Sequence, residues 1–298
     1  MTIRSYRIEG ERYTSYGPDG PVDSAVESRY NARMPNRILI TGAGGMIAPD
    51  LAAALQDRYT VRLSDRVPVE TDHEFVQADL TDAAALARAC DGVDAVVHLG
   101  AVTWDYAVHD VMIPANITGT WNILDAARHA GAGRFVFAST HHTVGFHHAD
   151  GTLNLTEVAE PRPDTFYAVT KLYGEALARY FAERHCMRAY CLRIGYYMSE
   201  GRVAEGLGRY KEALVLSKRD FAQMVELCLA ADEPRFGVYN CISAARRPWL
   251  SIEKAREELG YSPRDTVESI FGAVPEQPEL GPDDFAWLYG DTELGPEH

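Results

Sequence analysis

Lysine is nearly missing from this chain: four in 298 residues, at positions 171, 211, 218 and 254. Lysine and arginine together number 29 against 43 acidic residues, which gives a net charge of -14 and a pI near 5.1. Such a surface repels phosphate backbones and anionic headgroups, so no nucleic-acid or membrane partner is expected. An anionic small molecule would need a local cluster of basic groups. Cysteine is also scarce. Cys90, Cys186, Cys191, Cys228 and Cys241 show no Cys-x-x-Cys spacing and lie mostly in apolar stretches, the pattern of reduced buried thiols in a cytoplasmic protein. No apolar run approaches the ~18 residues that span a bilayer, and the N-terminus has no signal-peptide core. Internal repeats are absent.

What remains is 46% hydrophobic, enough for one large soluble domain or a nucleotide-binding domain with a small lobe. Residues 1–34 are polar, without a sustained helical or alternating pattern, and read as an extension. At Arg37 the pattern changes. Ile38-Leu39-Ile40 reads as a buried strand, Thr41-Gly42-Ala43-Gly44-Gly45-Met46-Ile47-Ala48 as a glycine-rich turn, and Leu51, Ala54 and Leu55 as the apolar face of a helix. That order suits a diphosphate: glycines let the backbone approach, while free N–H groups and the positive helix end face the charge. Alone it fits a dinucleotide site or a plain turn. The next strand, 60–64, ends at Asp65, 23 positions after Gly42. A carboxylate there can accept both hydroxyls of an adenosine ribose and repels a 2′-phosphate, which favours NAD over NADP. Arg66 beside it is a residue type that accommodates that phosphate.

Strands at 74–78, 95–99 and 134–138 alternate with helical patterns at 83–90 and 117–129, which predicts an α/β fold, a Rossmann-type doubly wound parallel sheet with right-handed crossovers. Ligands sit at strand ends in such sheets. The ends here are Asp79-Leu80, His98-Leu99-Gly100-Ala101 and Ser139-Thr140. Downstream, Phe166-Tyr167-Ala168-Val169-Thr170-Lys171 opens a helix, and its spacing points Tyr167 and Lys171 into one space. The ammonium is expected to lower the tyrosine pKa from about 10 toward neutrality, as acid–base work requires. The alternative is an ordinary amphipathic helix start with a surface lysine.

Together these pieces resemble the extended short-chain dehydrogenase/reductase superfamily (NAD-dependent epimerase/dehydratase family) over residues 36–272: the turn at 41–48, Asp65, Asp79-Leu80, Leu99-Gly100-Ala101, Thr140, Tyr167 with Lys171, and Leu192-Arg193-Ile194-Gly195. The stretch from Phe135 to Gly145, with Ser139-Thr140-His141-His142-Thr143-Val144, is most similar to the NAD-dependent uronate dehydrogenases. The family has asparagine where this chain has His141, and usually serine where it has Tyr196.

The resemblance implies an NAD-dependent oxidoreductase that oxidises C1 of a free hexuronic acid to an aldarolactone. Thr140, Tyr167 and Lys171 would be catalytic, with Ser139 less favoured than Thr140. Cofactor contacts would come from Gly42, Gly45, Met46, Ile47, Asp65, Asp79, Leu80, Leu99, Gly100, Ala101, Asn116 and Ile194, with Tyr167 and Lys171. Substrate contacts would come from Thr103, Thr140, His141, His142, Tyr196 and Arg209, the last chosen over Arg202 and Lys211 for the substrate carboxylate because a bidentate arginine suits it. For Asn116 a capping or helix-interior role is equally open. His141, His142, His147 and His148 on an irregular loop do not form a metal set, so no metal is expected, and His147 and His148 are expected at the surface.

The expected organisation is an N-terminal extension (1–34), an NAD-binding domain (35–195), a small substrate lobe interleaved with the core (196–274) and an acidic tail (275–298). In the lobe, a helix capped by Ser217, a strand at 237–241 and a helix at 252–259 are expected. A homo-oligomer through the helices near Asp110 and Thr165 is usual for the superfamily. The competing readings are a nucleotide-sugar epimerase or dehydratase, a dehydrogenase of a neutral aldose, and a non-catalytic NAD-binding sensor. His141-His142 stands where dehydratases carry Asp-Glu, and a sensor has no need to keep Thr140, Tyr167 and Lys171 together.

Overall fold

The structure, a computed structural model, describes residues 4–8, 11–15, 34–103, 108–199 and 212–272. The chain divides into two units, Met1–Arg33 and Met34–His298. In the first, β1 (Arg4–Ile8) and β2 (Glu11–Ser15) pair antiparallel, with Ile8 opposite Glu11. The sequence reading expected no regular structure there. The overlooked signal is the two-residue connection Glu9-Gly10 between two short segments, the length that favours a hairpin.

The second unit is a doubly wound α/β body. Its strands are β3 (Arg37–Thr41), β4 (Thr60–Asp65), β5 (Glu74–Gln77), β6 (Ala95–His98), β7 (Arg134–Thr140), β8 (Arg188–Ile194) and, after a short pair described below, β11 (Phe236–Cys241). They form one seven-stranded sheet in the order β11-β8-β7-β6-β3-β4-β5, with every neighbouring pair parallel. The strand order reverses between β3 and β6, the place where such sheets open a crevice at their carboxyl ends.

Residue alternation explains the layers. Ile38 and Ile40 point to one face and pack with Leu51 and Leu55 of α1 (Ala48–Leu55) and with Phe221, Val225 and Leu229 of α6 (Lys218–Ala230). Leu39 points to the other face, among Leu86 of α2 (Ala83–Cys90), Ile123 and Leu124 of α3 (Gly119–Ala130) and Phe181 of α5 (Phe166–His185). With both faces covered, Ile38, Leu39 and Ile40 are all fully buried. Ala52, not Ala54, completes the buried face of α1; Ala54 is exposed.

The helix expected at 117–129 starts differently. A π-helical stretch, Val108–Thr118, precedes α3 and contains Pro114, which has no N–H for the normal helical ladder. After β7 come a 3₁₀ turn (His141–Val144) and α4 (Phe146–Ala149) in place of an irregular loop. Beyond β8, β9 (Tyr196–Tyr197) and β10 (Val215–Leu216) pair in parallel. Ser217 caps α6 by accepting from Asp220 N, as its position in the sequence indicates. The chain then adds β11 to the main sheet and ends its described part with α7 (Glu253–Leu259) and α8 (Val267–Phe271).

Candidate active site

The cleft sits where the strand order reverses. Gly42 leaves β3 at φ +76°, and a Cβ there would lie 2.8 Å from Gly100 N, so the turn and the strand after β6 approach as closely as only glycine permits. A second contact fixes the same junction: Thr41 Oγ1 accepts from Gly100 N at 3.2 Å and lies 2.7 Å from His98 Nδ1. The N-terminus of α1 follows, with Ala48 fully buried.

These segments frame a cavity of 580 Å³ lined by Gly42, Gly45, Asp65, Asp79, Leu80, Leu99, Gly100 and Ala101, which the sequence assigned to the cofactor. Asp65 stands at the end of β4, where its Oδ2 accepts from Gly44 N at 2.9 Å and its Oδ1 from Val67 N at 3.2 Å. The turn thus holds the carboxylate at the cavity wall, and Arg66, also in the lining, is exposed. Asp79 accepts from Thr81 N and Thr81 Oγ1, which hold its carboxyl below the usual range. Leu80 is pinned from α3: Asn122 Nδ2 donates to its carbonyl, and a Cβ on Gly119 would lie 2.6 Å from Leu80 Cβ. Gly119 and Asn122 were not singled out in the sequence, although a glycine opening a helix beside a strand-end ligand segment is a readable sign. Met46 is exposed and Ile47 half-buried on the same turn.

The residues expected to react, Thr140, Tyr167 and Lys171, lie on β7 and α5. Thr140 ends β7, accepts from His142 N at 3.3 Å through its Oγ1, and receives Thr143 Oγ1 on its carbonyl at 2.8 Å. Ser139, the less favoured hydroxyl, is committed elsewhere: its Oγ donates to Glu175 Oε1 at 2.6 Å. Thr165 caps α5 by accepting from Ala168 N, so the helix begins one residue before Tyr167. Lys171 is buried, its Nζ 5.5 Å from the centroid of the Tyr167 ring and 4.8 Å from that of Phe137.

The expected electrostatics are reversed. Burial, not the lysine charge, dominates Tyr167 and raises its pKa above the ordinary value, and burial brings Lys171 down to about 7. A low-dielectric pocket disfavours both charges at once, and Lys171 Nζ lies over the rings of Phe137 and Tyr167.

Asn116 is buried and its amide is spent on scaffolding. Oδ1 accepts from Val102 N, and Nδ2 donates to Val102 O and Thr170 Oγ1. It therefore ties the segment after β6 to α5 between Tyr167 and Lys171. Thr103, at the end of that segment, is exposed. His141 is buried and donates Nδ1–H to the carbonyl of Ile194 at 3.1 Å, joining the ends of β7 and β8. His142 Nδ1 lies 2.9 Å from both Asp164 oxygens. Tyr196 is half-buried and donates its N–H to Leu214 O at 2.7 Å. Arg202, Arg209 and Lys211 lie outside the described residues.

Two expectations for the histidines fail. His148 is buried, with its ring stacked on Trp249 at 3.5 Å between centroids, and His147 is half-buried with Nε2 donating to Glu160 O. Folding 141–149 into helical turns rotates His148 into the body. Trp249, in an irregular segment remote in sequence, gave no local hint of the stack.

A crevice at the switch point of a parallel sheet, a glycine turn facing it and a tyrosine–lysine helix beside it define a dinucleotide-dependent enzyme of the short-chain type. Residues 38–229 match the NAD dependent epimerase/dehydratase family, and the chain belongs to that family. It is 35% identical over 265 residues to the NAD-dependent glucose-6-phosphate dehydrogenase of Haloferax volcanii, covering 81% of this chain and 98% of the relative. It is 32% identical over 259 residues to the uronate dehydrogenase of Pseudomonas putida, covering 85% and 93%. The crystal structure of a uronate dehydrogenase mutant from Agrobacterium tumefaciens complexed with NAD superposes with a TM-score of 0.71 at 28% identity, over 82% of this chain and 92% of that one. The protein is an NAD-dependent dehydrogenase.

Proposed function

We propose that this protein oxidises C1 of a free hexuronic acid, yielding the aldarolactone. The observation that supports the reading is the placement of Thr140 at the end of β7 and of Tyr167 and Lys171 one turn apart on α5, with Lys171 Nζ 5.5 Å from the Tyr167 ring centroid. The likeness to uronate dehydrogenase supports the choice of sugar acid. NAD supplies the hydride acceptor when bound. Tyr167 takes the proton of the anomeric hydroxyl while C1 gives up its hydrogen as hydride, so the exocyclic C1–O bond becomes a carbonyl and the already closed hemiacetal ring becomes the lactone. Thr140 holds the reacting oxygen. Lys171 exchanges a proton with the tyrosine pocket, and Asp65 accepts from the adenosine ribose. Arg209 receives the substrate carboxylate.

A second reading, C1 oxidation of a phosphorylated aldose, is favoured by the 35% identity to the glucose-6-phosphate dehydrogenase. One assay separates the two: NADH formation with a panel of hexuronates, aldose phosphates and neutral aldoses. The largest kcat/KM is expected for a hexuronate. Turnover of an aldose phosphate with hexuronates inert would reassign the substrate.

A further inference from the structure

The segment after β7 and the segment before Tyr167 are laced together. Phe146 N donates to Arg162 O, Arg162 N to Thr143 O and Asp164 N to His142 O. Within this lacing His142, which the resemblance assigns to the substrate, is paired with a carboxylate that has no assigned part, Asp164. The Asp164 carboxylate is fully buried, and both its oxygens are 2.9 Å from His142 Nδ1, whereas the His142 side chain retains 27% exposure. Gly145 is shaped around the pair, since a Cβ there would fall 1.9 Å from Asp164 Oδ2. The bond is therefore not a chance surface contact. The chain gives up a side chain at position 145 to admit it.

We propose that Asp164 is a positioning residue that fixes His142 as a recognition group for the sugar. This rests on the C1-dehydrogenase reading above. An ionised carboxylate only accepts, so Nδ1 must carry a proton, and the histidine's variable edge is Nε2. Asp164 also fixes the ring plane of a side chain that retains 27% exposure and stands two residues beyond Thr140, at the same end of β7. His142 thus presents one oriented nitrogen to a substrate hydroxyl or carboxylate. When Nε2 is protonated as well, Asp164 supplies the counter-charge. The arrangement links recognition to chemistry, because Asp164 stands three residues before Tyr167 and His142 two after Thr140. The charged and titratable groups facing His142 are Asp164, His141 at 4.1 Å between ring centroids, and His148, whose ionisation His142 opposes.

The test is a double-mutant cycle of Asp164→Asn and His142→Ala on the full chain, with steady-state kinetics for the turned-over sugar and NADH binding by fluorescence. Asp164→Asn is expected to lower kcat/KM at least tenfold, mainly through sugar KM, with NADH affinity unchanged and little further loss when added to His142→Ala. Full additivity in the cycle, or wild-type kinetics in Asp164→Asn, would overturn the proposal. A readout independent of turnover is the imidazole nitrogen spectrum of the wild-type protein, where His142 is expected to carry its proton on Nδ1. A neutral ring protonated only on Nε2 would overturn the proposal whichever sugar is the substrate. Inertness toward hexuronates alone would sink only the substrate reading.

Discussion

Glu175 and Arg193 face each other as a buried bidentate pair, with Arg193 Nε 3.0 Å from Oε1 and Nη2 2.9 Å from Oε2. Their side chains are 9% and 4% exposed, and Ser139 adds a third bond to the same carboxylate. Glu175 lies one turn beyond Lys171 on α5, and Arg193 lies in β8, opposite Ser139 of β7. The cluster thus clamps α5, which carries Tyr167 and Lys171, to β7 and β8.

Breaking one side of that pair leaves a buried charge without compensation. Arg193→Met is expected to destabilise the protein by about 3–5 kcal/mol, and Glu175→Leu with Arg193→Met to recover most of the loss. Urea unfolding of the two variants checks this. Equal loss in the single and double variants would show that shape, not charge, dominates at the site.

The pocket electrostatics set the pH dependence. With Lys171 near 7 and Tyr167 raised, the pair gives up its first proton near neutrality, and the base-competent state is the one that has lost it. The value of kcat/KM is therefore expected to climb from acid and level off above about pH 7. Removing the amine with Lys171→Ala should shift the rise upward, toward the tyrosine's own range. A pH profile of both proteins with saturating NAD decides the point.

The proposed ribose contact of Asp65 gives an expectation for cofactor choice. Losing an ionic acceptor of ribose hydroxyls costs about 1.5–3 kcal/mol, so Asp65→Ala is expected to weaken NAD about 10–100-fold and to narrow the preference over NADP. Arg66, free to face a 2′-phosphate once the carboxylate is gone, should assist the shift. Initial rates with both cofactors measure it, and an unchanged ratio would remove Asp65 from the ribose site.

Two buried histidines make the fold acid-sensitive. Burial pushes His98 and His148 down to about 3, whereas the unfolded chain titrates near 6.5. Below 6.5 the unfolded state binds more protons, so each histidine contributes stability that is full above that pH and falls by about 1.4 kcal/mol per unit below it. Denaturation midpoints at pH 7 and pH 5 are expected to differ accordingly, and His98→Asn should flatten the slope. A slope that survives both His98 and His148 substitutions would assign the acid sensitivity elsewhere.

Much of this protein was fixed locally. Ile38, Leu39 and Ile40 could only be a strand covered on both sides. Gly42 marks a turn that needs positive φ, and the four-residue step from Tyr167 to Lys171 sets both on one helix face. These are short-range consequences of period and steric permission, so the parallel sheet, the glycine turn and the cap at Ser217 could be read from the chain. The tertiary structure alone decided the meetings of residues remote in sequence: Glu175 with Arg193, Asp164 with His142, Trp249 with His148, and Thr41 with His98. It also decided the sign of the Tyr167 shift. Spacing brings a charge near a phenol, but whether charge or burial wins depends on how much water the surrounding strands exclude, and only the packed sheet sets that.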